Sequence, residues 1–177
     1  HDARRRRGLD RSRRGSARAG VRLFLAIRPP RAVLDHLEPA LDGVRDRAGR
    51  ALRWTEPEQR HLTLAFHPEV PAGAVDDVVA DAGRIAAGHA PLDLHLAGAG
   101  EFSHRTLWMG VGGQVRELGA LLAEPWLADD DGRDRRRAHL TVARVSAAAP
   151  RPRCRRRGEP RPPAPSTVLL AEAVRAL

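Results

Sequence analysis

The chain has 177 residues, 42% of them apolar, enough for one domain or two small lobes around a shared cleft with a real core. Its net charge of +9 is local: residues 4–18 hold eight Arg and residues 151–161 hold six, leaving, with Asp2 also set aside, 17 Arg against 19 Asp and Glu elsewhere. A single cysteine, Cys154, excludes an intrachain disulfide, and no stretch approaches the roughly 20 apolar residues of a membrane span.

Taken in order, residues 1–20 read as an Arg-rich, disordered extension. Val21–Ile27 is a compact apolar run, too short and too interrupted by Arg22 for a secretion signal, and reads as a buried strand stopped by Pro29-Pro30. Residues 31–48 carry Val33, Leu34, Leu37, Leu41 and Val44 at spacings of three and four, an amphipathic helix in which Pro39 predicts a kink or break. Short strands follow at Leu52–Thr55 and at His61–Phe66, the latter closed by Pro68.

A second helix spans residues 72–88. Leu92, Leu94 and Leu96 alternate with polar residues as in a strand, and Thr106–Val111 is another. Val115–Leu122 reads as a helix, Asp129–Asp134 as an acidic loop and His139–Val145 as a strand. Residues 21–147 form the expected domain. Residues 148–177 are an atypical Pro/Arg-rich tail with a last short strand at 167–170.

A pentapeptide pattern occurs twice, as HLTLA at 61–65 and HLTVA at 139–143. Each copy lies in a strand after a helix, which predicts duplicated halves. On a strand, residues i and i+2 share a face. His61 and Thr63 therefore project together, as do His139 and Thr141, and a twofold packing of the halves would bring all four into one cleft. Imidazole ordinarily titrates near pH 6.5, so one ring can take a proton while its partner gives one, each role contributing roughly 10²–10⁴ in rate. The hydroxyls can donate to oxygens on which charge develops. A zinc site built from these histidines would lack Cys or carboxylate ligands at ordinary spacings. His1, His36, His67, His89, His95 and His104 have no patterned partners and are expected at the surface; Trp54 and Trp108 are expected in the core.

These motifs, with VRLFLAIRPP at 21–30, RWTEPEQRHLTLAF at 53–66, EFSHRTLWMGV at 101–111 and HLTVAR at 139–144, resemble the two-histidine phosphoesterase superfamily, and within it the LigT-like RNA 2′,3′-cyclic phosphodiesterases. The resemblance implies an α+β, bilobal, duplicated fold with two antiparallel sheets lining a central cleft and helices outside. It implies metal-independent, cofactor-free hydrolysis of RNA 2′,3′-cyclic phosphate ends to 2′-phosphomonoesters by a cytoplasmic monomer. His61 would be the proton donor and His139 the proton acceptor, with Thr63 and Thr141 on the phosphate. Phe66 and Arg144, five residues beyond each histidine, would contact the ligand. Simple alternation puts both on the core face, so each strand must end or bulge before them. His67-Pro68 stands where relatives usually have Leu-Gly, and 148–166 departs from the helix and closing strand pair they usually supply, as a truncated or frame-disturbed end would. The rival expectations are a non-catalytic RNA-binding protein working through its Arg-rich edges, and a 2′,5′ RNA ligase-type activity.

Overall fold

The computed structural model describes residues 20–126, 137–147 and 165–177. The Arg-rich extension up to residue 19, the acidic loop at 129–134 and the Pro/Arg-rich stretch 148–164 lie outside the described residues.

The elements run β1 (Gly20–Ile27), α1 (Arg31–Ala48), β2 (Leu52–Trp54), β3 (Leu62–Pro71), α2 (Val75–Ala87), β4 (Leu94–Phe102), β5 (Thr106–Gly113), α3 (Val115–Leu122), β6 (His139–Val145) and α4 (Pro165–Ala176). The result is a mixed helix and antiparallel-sheet fold. All six strands belong to one hydrogen-bonded sheet in the order β1-β3-β6-β5-β4, with β2 pairing β6 beside β3. The expected two sheets are therefore two wings of one sheet. Its waist is narrow: β3 and β6 share the single partner pair Leu62↔Leu140, whereas β1 follows β3 along its length and β5 follows β6.

The core lies beneath this sheet. Leu34, Leu37, Leu41, Val44 and Ala48 bury one face of α1 against Leu62, Leu107, Leu140 and Val142. The helix runs through Pro39 without a break; Pro39 sits on its exposed side. A second cluster joins Leu64 and Ala65 to Leu118, Leu121 and Trp126. α2 buries no residue fully, and Val79 is 63% exposed.

Two strand expectations are corrected. β3 does not stop at Pro68 but runs to Pro71. Beyond Leu62 it has no pairing to β6, so a proline without an N–H is tolerated on that free edge, and the register slips beside it, Val21↔Val70 being followed by Leu23↔His67. The expected strand at 167–170 is instead part of α4, whose Leu170 and Ala173 are buried in the α1 core with Val174 and Leu177 packed on it. That spacing of three and four is helical, the Ala/Leu content favours helix, and Pro165 opens the helix where its missing N–H is harmless. Among the described residues no helix is long and apolar enough to cross a membrane.

Candidate active site

The antiparallel pair Leu62↔Leu140 sets the geometry of the cleft. It puts His61 abreast of Thr141 and Thr63 abreast of His139, because adjacent residues in such a ladder step in opposite directions. Both leucines are buried in the core, so the four polar residues share the opposite face. His61 and His139 are thus diagonal to one another across the pair, a placement in which neighbours lie roughly 7–8 Å apart or slightly less.

Each ring is held the same way. His61 Nδ1 lies 2.6 Å from the Gln59 carbonyl oxygen, and His139 Nδ1 lies 2.9 Å from that of Arg137, two residues upstream in each case. A carbonyl can only accept, so Nδ1 carries the hydrogen and Nε2 is left for chemistry.

Each motif strand then bulges at the same step. β1 pairs Leu25 with Ala65 and Ala26 with Thr63, skipping Leu64; β5 pairs Leu107 with Ala143 and Trp108 with Thr141, skipping Val142. Leu64 and Ala65 are both buried, as are Val142 and Ala143, and the phase then returns to the surface at Phe66 and Arg144. Both residues thus leave the core face to which plain alternation would assign them.

A cleft of about 540 Å³ is lined by His61, Thr63, His139, Thr141 and Arg144. Phe66, 41% exposed, is not among its lining residues; it pairs in register with Phe24, which is 56% exposed and stacks on His61 with ring centroids 5.0 Å apart. The wall is completed by Arg53, Trp54, Thr55, Glu56 and Gln59, from β2 and the turn after it.

Behind His61 stands Arg60, 1% exposed and the one buried charged side chain among the described residues. It pairs with Glu38 of α1 and donates from Nε to the Thr55 carbonyl at 3.1 Å. Arg45 reaches the same carboxylate at 2.6 Å and lies over the Trp54 ring, 5.2 Å from its centroid. Burial alone would raise the Glu38 carboxyl, but hydrogen bonds from Arg60 and Arg45 outweigh it and hold it below the ordinary range. Behind His139 the support is aromatic: Phe102 meets the ring edge-on at 4.8 Å and buried Trp108 tilts against it at 6.2 Å. Arg137 covers Trp108 at 4.7 Å, and a Cβ at Gly100 would collide with the indole, so only glycine fits opposite it. Two of the three phenylalanines, Phe24 and Phe102, thus contact the two histidines, and the third, Phe66, pairs with Phe24.

Comparison with known proteins points to one family. Residues 27–108 match the family described as LigT-like phosphoesterase. The structure superposes on that of TT0787 from Thermus thermophilus with a TM-score of 0.59 and 29% identity, covering 74% of this chain and 78% of that one. The chain is thus similar to the LigT-like phosphoesterases over just under half of its length. It also shares its fold with E. coli LigT, crystallised with phosphate, at a TM-score of 0.51, 24% identity and coverage of 82% and 79%. Two curated relatives are named RNA 2′,3′-cyclic phosphodiesterase. One, from Geobacillus stearothermophilus, is 36% identical over 99 residues; the other, from Methanothermobacter thermautotrophicus, is 33% identical over 98. Each alignment covers 51% of this chain, which spans 32% of the first relative and 51% of the second. The family match contains His61 and Thr63, while His139 and Thr141 lie beyond it.

Proposed function

We propose that this chain hydrolyses RNA 2′,3′-cyclic phosphate ends to 2′-phosphomonoesters. The observation that carries the reading is that two identically tethered histidines, each with a threonine, face one cleft. The names of the curated relatives support the same activity.

In this mechanism the cyclic phosphate sits between the rings. His139 Nε2 accepts a proton from a water that attacks phosphorus. The bond from phosphorus to the ribose 3′ oxygen breaks on the opposite side, and His61, starting protonated, gives that oxygen its proton. The products are a 3′ hydroxyl and a 2′-phosphomonoester, and the two rings end with their protonation exchanged. Thr63 and Thr141 donate to the non-bridging oxygens, and Arg144 and Phe66 contact the ligand further out. Side chains supply both proton transfers, so the reaction as written uses no metal, no cofactor and no second copy of the chain. The two wings act as duplicated lobes related by a twofold through the Leu62–Leu140 pair.

The test is product analysis with a 2′,3′-cyclic nucleotide, which should yield the 2′-phosphate. His61→Ala and His139→Ala should each lower turnover by roughly 10²–10⁴. Undiminished turnover in both variants, or phosphate retained on the 3′ oxygen, sinks the reading.

A further inference from the structure

Residues 55–60 form the turn that carries the tether of His61. Its backbone closes as Gln59 N–H donates to the Glu56 carbonyl at 2.9 Å and Arg60 N–H to that of Pro57 at 3.2 Å. The Gln59 carbonyl then meets His61 Nδ1. From outside, Arg28 reaches the Glu58 carbonyl at 3.3 Å and Arg31 the Glu58 carboxylate at 3.0 Å. Both contacts are exposed, so they brace the turn weakly. The inner brace is Arg60, whose Nε donates to the Thr55 carbonyl. Thr55 N–H donates in turn to the carbonyl of Val142, one residue past Thr141 on β6, at 2.9 Å. Thr55 thus joins the turn of the first motif to the strand of the second, and Arg60 closes the junction.

Arg60 is poorly suited to mere filling. Its side chain is buried, and its Nη2 has no hydrogen-bond partner among the described residues. Apolar side chains of similar volume often match or better a buried ion pair in stability, and an unmet N–H adds a further penalty. Arg45 already holds the Glu38 carboxylate. What the guanidinium supplies and a hydrocarbon could not is the donor to Thr55.

We infer that Arg60 is a positioning residue. By bonding the Thr55 carbonyl it fixes the 55–60 turn against β6, and so holds the Gln59 carbonyl where it keeps the hydrogen of His61 on Nδ1 and leaves Nε2 for the cleft. The consequence for turnover rests on the proposed cyclic-phosphate hydrolysis; the consequence for the ring does not.

The tautomer of each ring reports its tether, because an untethered imidazole favours the hydrogen on Nε2. Two-bond proton–nitrogen correlation spectra of the full chain separate the two forms once the rings are neutral, about two pH units above the ordinary imidazole value of about 6.5. In the unaltered protein His61 and His139 should both show the Nδ1–H form. Arg60→Met keeps length and bulk without the donors; in it the Nδ1–H share of His61 should fall about twofold or more, while His139, held by the Arg137 carbonyl, is unchanged. Arg45→Met removes the other guanidinium on Glu38 and leaves Thr55 bonded, so both rings should stay as they are. Should Arg60→Met fail to fold, Arg60→Met with Glu38→Gln removes both charges of the pair together and carries the same expectation.

His61 keeping its Nδ1–H form in the folded Arg60 variant overturns the inference. So does an equal change in both rings, the mark of general loosening, or an equal change of His61 in Arg45→Met, the mark of charge at Glu38. With a 2′,3′-cyclic nucleotide, kcat in Arg60→Met should fall about 10–100-fold with KM within about twofold, since a misaimed ring impairs proton transfer rather than binding. If the unaltered protein turns nothing over, the hydrolase reading falls and the ring spectra still judge Arg60.

Discussion

The two motif histidines share a backbone geometry and differ in what stands behind them. Each ring is tethered to the carbonyl two residues upstream and each strand bulges after the threonine, so the local device is the same. His61 is backed by charge, the buried Arg60–Glu38 pair, and its outer face is covered by a half-exposed Phe24. His139 is backed by a packed indole and a second ring. A repeated pentapeptide thus specifies where an imidazole points, while residues outside the repeat decide how polar and how open its surroundings are. That division would suit the proposed roles, one motif as proton donor in one wing and the other as acceptor in the second.

The sharpest way to break this comparison is on the aromatic side. Trp108→Ala should cost about 3–5 kcal/mol in a denaturant melt, because it empties a buried site that Gly100 has been kept small to admit. Less than about 1 kcal/mol would mean that the indole is not what supports His139. On the charged side, Glu38→Ala leaves Arg60 buried without its carboxylate. A loss of about 3 kcal/mol is expected, at the low end for a broken buried pair because the glutamate is partly open to water. Acid should reproduce part of that loss. With its folded-state carboxyl held below the ordinary value of 4.5, Glu38 contributes fully above that value and loses its contribution as pH falls through the depressed one. Stability that is flat across this acid range in the parent, or equally steep in Glu38→Ala, would remove Glu38 as the cause. The smallest effect belongs to Phe24→Ala, about 1 kcal/mol or less, since the ring is 56% exposed.

Much of this architecture is legible in the sequence. Apolar runs and three-four spacings locate β1, α1, α3, β5 and β6 closely, since burial against a single core writes those periods directly. The tail helix is obscured because TVLL read alone is β-like, and only the residues after it reveal the helical spacing. The extension of β4 to Phe102 is hidden by Ala97, Gly98 and Gly100, small residues with little strand character of their own. Five of the six expected site residues line one cleft, whereas Phe66 sits outside it beside Phe24. Nothing in the residue pattern marks Arg53, Arg60 or Phe24. An arginine in an arginine-rich chain carries no visible sign of burial, and Phe24 looks like one more apolar residue in a strand. The paired bulges are expected from Phe66 and Arg144 alone, but no residue pattern announces the step at which they occur.

The single rung at Leu62 and Leu140 has one more effect. Since among the described residues that contact alone ties the β1–β3 wing to the β6–β5 wing by strand pairing, the span between the imidazoles is gauged by two aliphatic side chains on the far side of the sheet. The spacing of the two imidazoles is thereby a property of the protein's oily underside. Reshaping either leucine, without touching any polar group, would retune the bite of the cleft from below.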